Sequence, residues 1–230
     1  MSVALFQSKI RNDAPGDVTF NAPVQPGSLV IVAISSFGAQ VPSNDVTDNQ
    51  SNTYTRIASL ENGGDDWVAV FYCEEVKSNS GAFTVTNVTG SSLAIFEYWG
   101  LDRVGVAFDT SVTGFDSSIS GSDVNITPNT NKTYAPSLIF VAQTDNGGGA
   151  YTSNTNFVTR QTETDSATHE RLATQDRLAA PVGAVSVAGF SAPGTQIYAL
   201  IAASFFAKPD VPLNNNRGLR PAIFTPGIAR

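Results

Sequence analysis

The chain has 230 residues, enough for one large β-domain or two small ones, and 62 of them are Ser, Thr or Asn against only 13 Lys and Arg. That balance favours strands joined by many turns over helices, which draw more heavily on Lys, Glu and Leu. A net charge of −7 argues against a nucleic-acid backbone or an anionic membrane as partner, because both are gripped by clustered cations.

The opening "MSVALFQSKIRNDAPGD" lacks a basic stretch followed by an apolar one, so no secretory signal is expected and the chain should fold in a reducing cytoplasm. Apolar runs bounded by turn residues then follow: "DVTF" (17–20), "SLVIVAIS" (28–35), "TYTRIAS" (53–59), "WVAVFYC" (67–73), "AFTVTNV" (82–88) and "LAIFEYW" (93–99). A loop-rich middle holds a few more strands within 105–127. The pattern resumes with "SLIFVAQ" (137–143), "FVTRQT" (157–162), "ERLATQD" (170–176), "AVSVAGF" (184–190) and "IYALIAASFFA" (197–207). Length, β-branched and aromatic content, and Gly/Pro/Asn boundaries all read as strands.

The two series run in parallel. Ser28–Ala33 matches Ser137–Ala142, and Asn52, Thr55 and Arg56 match Asn156, Thr159 and Arg160. Gly81–Val85 resembles Gly183–Val187, and Ala94 and Phe96 align with Ala203 and Phe205. Four matches in the same order point to two pseudo-duplicated halves, about 26–100 and 135–207. The first and last strands of each half are apolar on both alternating faces and need cover on two sides. The expected fold is therefore all-β: a single jelly-roll-like β-sandwich of ten or more strands over residues 1–207, its halves sharing one core, with two tandem immunoglobulin-like domains as the alternative. Residues 208–216 read as a Pro/Asn linker, and 217–230 as an extended C-terminal arm.

Chemistry-bearing constellations are sparse. His169 is the sole histidine, and its surroundings, "TETDSATHERLATQD", alternate like an exposed strand. Cys73 is the sole cysteine, which excludes an internal disulfide and reads as a small buried thiol. No catalytic residue and no cofactor is expected. Asp45 and Asp48 lie in an oxygen-rich turn with Asn49 and Asn52, and Asp65 and Asp66 in another. Such loops hold calcium in some proteins, yet Asp and Asn are also ordinary turn residues, and no metal site is assigned beyond Asp45 and Asp48 as weak candidates. Trp67, Tyr72, Tyr98 and Trp99 would suit a sugar platform, with core packing as the competing reading. "NGGGAY" (146–151) is glycine-rich but lacks the residues of a phosphate cradle.

The last fourteen residues, "RGLRPAIFTPGIAR", hold three arginines and no acid. Residues 211–230 would reach roughly 65 Å if extended, at about 3.3 Å per residue. Pro221 and Pro226 favour extended backbone and reduce the entropy lost on docking. Ile223, Phe224 and Ile228 are spaced as anchors, and Arg217, Arg220 and Arg230 can pair with carboxylates of another copy or another acidic partner.

The segments "PGSLVIVAISSFG", "VTDNQSNTYTRI", "AIFEYWGLD" and "SFFA" resemble a β-sandwich module of bacterial surface proteins and of structural proteins of tailed phages. The ending "RPAIFTPGIAR" resembles the short Arg/Pro/Gly tails of phage virion components. The resemblance implies a non-enzymatic virion part, a capsid decoration or tail-associated protein assembled in bacterial cytoplasm. Its implied partners are other copies of itself or other virion proteins. A carbohydrate-binding or adhesion module, with a glycan as partner, is the alternative.

Overall fold

Fifteen strands, every pairing antiparallel, account for the regular structure of the described residues. The computed structural model describes residues 3–12, 16–63, 65–78, 81–90, 92–101, 107–116, 124–126, 136–145, 151–163, 171–178, 184–187 and 198–206. The first half contributes β1 (Ala4–Arg11), β2 (Gly16–Thr19), β3 (Leu29–Phe37), β4 (Thr47–Asp48), β5 (Thr55–Glu61), β6 (Asp66–Cys73), β7 (Thr84–Asn87) and β8 (Ser92–Trp99). The second contributes β9 (Phe108–Asp116), β10 (Val124–Ile126), β11 (Pro136–Asp145), β12 (Val158–Thr162), β13 (Arg171–Leu178), β14 (Val185–Val187) and β15 (Tyr198–Phe206).

Two five-stranded sheets dominate, in the orders β1-β8-β3-β6-β5 and β9-β15-β11-β13-β12. A smaller sheet accompanies each: β2-β7-β4 in the first half and β10-β14 in the second. The four matched sequence segments fall on β3 and β11, on β5 and β12, on β7 and β14, and on β8 and β15. Each pair holds the same place in its half.

The packing explains why these strands are apolar throughout. Leu29, Ile31 and Ala33 of β3 and Phe96 and Tyr98 of β8 face one way, onto Phe140 of β11 and Ile201 and Phe205 of β15. The rings of Phe96 and Phe140 meet edge to face, with centroids 4.9 Å apart. The alternate residues Val30, Val32 and Ile34 face the other way, onto Val18 and Val85 of the first small sheet and Phe83 just before β7. In the second half Ile139, Val141 and Leu200 likewise pack on Ile126, Val185 and Val187. Each fully buried side chain of this kind contributes about 1.5–3 kcal/mol relative to exposure.

The expected all-β chain with opposed sheets around a shared core is present, and further layers are added to it. The halves do share a core between the large sheets, but the outer face of each large sheet is covered by its own small sheet. Four layers enclose three cores. The physical reason lies in the strands: with both alternating faces apolar, one interface covers only half of what must leave water.

The four edge strands of the large sheets share a device. Register breaks fall at Phe6 in β1, Ile57 in β5, Arg160 in β12 and Asp109 in β9. A bulge twists the strand and interrupts its row of free N–H and C=O groups, which discourages edge-to-edge pairing with another chain.

Candidate functional site

Inner strand β13 carries the largest departure from the sequence expectation. "ERLATQD" alternates in polarity as an exposed strand would, yet Arg171 to Asp176 are buried between β12 and β11. Its polar groups enter the interior because partners await them on both faces. On the central face, Asp176 receives the hydroxyl of Tyr98 at 2.8 Å and lies 2.7 Å from Nη2 of Arg160. Burial, then the neighbouring Asp176, pushes the Tyr98 phenol well above its usual range. On the outer face, Arg171 stands 3.6 Å from Asp145 and lies over the Tyr151 ring, 4.4 Å from its centroid. Gln143 Nε2 also donates to Asp145, at 3.1 Å.

Further polar bridges tie the halves together. Ser92 donates to Glu163, Gln161 Nε2 donates to Ser8 at 2.8 Å, and the Phe108 amide donates to Glu74 at 2.8 Å. These groups stabilise a fixed sheet-to-sheet arrangement, since a buried donor or acceptor left alone costs about 1–3 kcal/mol.

A second polar centre sits under the surface at the end of β8. Glu97 is fully buried, and its carboxylate accepts four hydrogen bonds: from Gln7 Nε2 (2.7 Å), the Gln25 amide (2.8 Å), Ser28 Oγ (2.8 Å) and Trp99 Nε1 (2.9 Å). Gln7 is also held at Ala22, donating to its carbonyl and accepting from its amide. Above this network the Trp99 indole stacks on Phe6, with centroids 4.4 Å apart and planes 11° from parallel. Phe6 is 46% exposed and Trp99 38%, which makes a flat aromatic platform at the bulge of β1. The notch nearby, lined by Gly27, Glu74, Glu75, Gly100, Leu101 and Ala107 among others, holds space for about one water molecule.

The sequence-expected residues divide as follows. Of the four aromatic candidates, Tyr98 belongs to the core, Tyr72 packs on Phe108 and Phe205, Trp67 is half-buried, and Trp99 presents a surface. Phe6, its stacking partner, was not among the candidates. Its only sequence signal is the alternation of "ALFQSKIR", a segment not read as a strand.

Asp48 accepts from the Gln50 and Asn52 amides, Asn52 Nδ2 and Tyr54 Oη, so donors surround its oxygens where a cation would require acceptors. Asp45 Oδ1 accepts the amides of Val88 and Thr89. Both act as turn residues. Among the described residues no group of three or more His, Cys, Asp or Glu is placed to hold a metal ion. His169, the glycine run Gly147–Gly149, the linker and the arm residues Arg217, Arg220, Ile223, Phe224, Pro226, Ile228 and Arg230 lie outside the described residues.

Cys73 is buried, and desolvation followed by Asp48 and Glu74 raises its thiol to about 12. Two results follow. The thiol should resist a disulfide reagent at pH 8 until the protein unfolds, read as labelling rate with and without denaturant. Stability should also fall from about pH 9 upward, where unfolded Cys and then Tyr ionise while Cys73, Tyr54, Tyr98 and Tyr151 stay protonated in the fold. Thermal melts across pH 7–11 check the sign.

The chain matches no protein-family model, no curated protein and no solved structure.

Proposed function

We propose that the chain is a non-enzymatic structural protein of a phage particle, a capsid decoration or tail-associated component, assembled through subunit contacts that include its C-terminal arm. Segregation of charge carries this reading. Residues 1–207 hold nine Lys and Arg against nineteen Asp and Glu, a net −10, whereas residues 208–230 hold four against one, a net +3. A cationic strap with apolar anchors on an anionic body is suited to gripping another copy of that body. Among the described residues, the buried carboxylates of Glu97, Asp145 and Asp176 are held by arginines and neighbouring donors, which suits a scaffold.

We further read the body as two duplicated jelly rolls. In the first half β1 pairs with β8, β2 with β7 and β3 with β6; in the second β9 pairs with β15, β10 with β14 and β11 with β13. Each half is thus one long strand hairpin rolled into two facing sheets.

The test is sedimentation of the full chain against the Arg217→Ala/Arg220→Ala/Phe224→Ala variant. The wild type should associate, more weakly as salt screens the arginines, and the variant at least about tenfold more weakly with an unchanged melt. Equal association of the two would contradict the arm's role. The exposed Trp99 favours a second reading, a glycan-binding module, which saturable binding on a glycan array, lost in Trp99→Ala, would establish.

A further inference from the structure

We propose that the stacked Phe6–Trp99 pair is the seat for the Arg217–Arg230 segment of a second copy of this chain. The inference rests on the arm-mediated assembly above and names the surface that receives the arm.

The platform is anchored from below. Glu97 fixes the indole through Nε1 at 2.9 Å, and the Phe6 ring lies flat against it at 4.4 Å. Two exposed aromatic side chains held this way give contact area with little entropy left to lose, the property of a binding anchor. The polar atoms beneath are engaged inside the molecule: Glu97 by four donors, Gln7 by Glu97 and Ala22, Ser28 by Glu97 and the Gln25 carbonyl. A sugar needs directional hydrogen bonds around its stacking ring, and this network offers it none. Proline rings, aliphatic side chains and guanidinium planes need only the aromatic face. The arm supplies all three in Arg220-Pro221, Ile223 and Pro226.

Position points the same way. The described chain ends at Phe206, whose amide donates to the Ala107 carbonyl at 2.8 Å. Ala107 lines the notch together with Gly100 and Leu101, which directly follow Trp99, and with Glu74 and Glu75. The last described residue therefore lies at the end of the molecule that carries the seat, near the acidic residues Glu74 and Glu75. Residues 207–216 can span at most about 36 Å. Copies meeting at this end can exchange arms reciprocally, which closes the assembly by symmetry. Bulges at all four edges of the large sheets disfavour the competing mode, addition of the arm as an extra strand.

The experiment is sedimentation velocity of the full chain and of its Phe6→Ser, Trp99→Ala and Phe224→Ala variants, each checked by thermal melt. Phe6→Ser removes the stacked ring but leaves the Trp99–Glu97 hydrogen bond, and so keeps the test valid if Trp99→Ala unsettles Glu97. The expected result is association weakened about tenfold or more in every folded variant, with Phe6→Ser/Phe224→Ala no weaker than the weaker single variant. Wild-type association of the platform variants beside a dissociated Phe224→Ala overturns the seat and leaves the arm's role standing. Full association of all variants, or a monomeric wild type, overturns both. Fully additive losses, or glycan binding that needs Trp99 while association does not, assigns the platform elsewhere and overturns the proposal.

Discussion

Asp176→Ala is expected to lower the free energy of unfolding by about 3–5 kcal/mol, because it removes one member of a buried charge pair and strands the others. The carboxylate has no solvent exposure and holds both Tyr98 Oη and Arg160 Nη2. Without it the Tyr98 hydroxyl stays in the central core with no acceptor. Arg160, which keeps 21% side-chain exposure, can turn partly toward water, so its share of the cost is the smaller. Tyr98→Phe removes a single hydrogen bond to a charged acceptor and leaves the ion pair, so a loss of about 1.5–3 kcal/mol is expected. Urea unfolding of the two variants gives the ordering directly. A result with Tyr98→Phe worse than Asp176→Ala would mean that ring packing, not the charge, governs this interface.

Glu97→Ala should cost a similar amount, about 3–5 kcal/mol, by a different route. No cation balances this carboxylate in the described structure; four donors do. Alanine leaves the Gln25 amide, the Ser28 hydroxyl, the Gln7 amide group and the Trp99 indole facing a vacated space at the end of β8. Glu97→Gln can keep its oxygen where Gln25, Ser28 and Trp99 donate and turns its NH₂ group toward Gln7 Nε2 alone, so an intermediate loss is expected. Indole fluorescence gives a second readout, since Trp99 loses its anchor in Glu97→Ala while Trp67 does not.

Much of the fold can be read from residues. The apolar strands β3, β6, β8, β11 and β15 announce themselves because both of their faces are buried, and the turn clusters bound them to within a few residues. The four-layer arrangement follows from the same fact taken one step further: two apolar faces per strand require two covers.

The strands that escape notice are those with little buried surface. β1 is an edge strand whose residues are half-exposed, and β4 has two residues. β13 misleads for the opposite reason. Arg171, Thr174, Gln175 and Asp176 look solvated in one dimension, and only the partners brought by β11, β12 and β8 make their burial affordable. The platform was half legible: Trp99 stands out by type, but Phe6 joins it only through the pairing of β1 with β8, some ninety residues away. The proposed arm rests on composition alone, on the concentration of arginine, proline and spaced apolar residues after an acidic body.

The most direct single measurement is the molar mass of the intact protein in dilute buffer at low ionic strength, repeated at high salt. A closed multimer that dissociates as salt rises is the predicted result. A species of one chain's mass under both conditions, at concentrations well into the micromolar range, would contradict it.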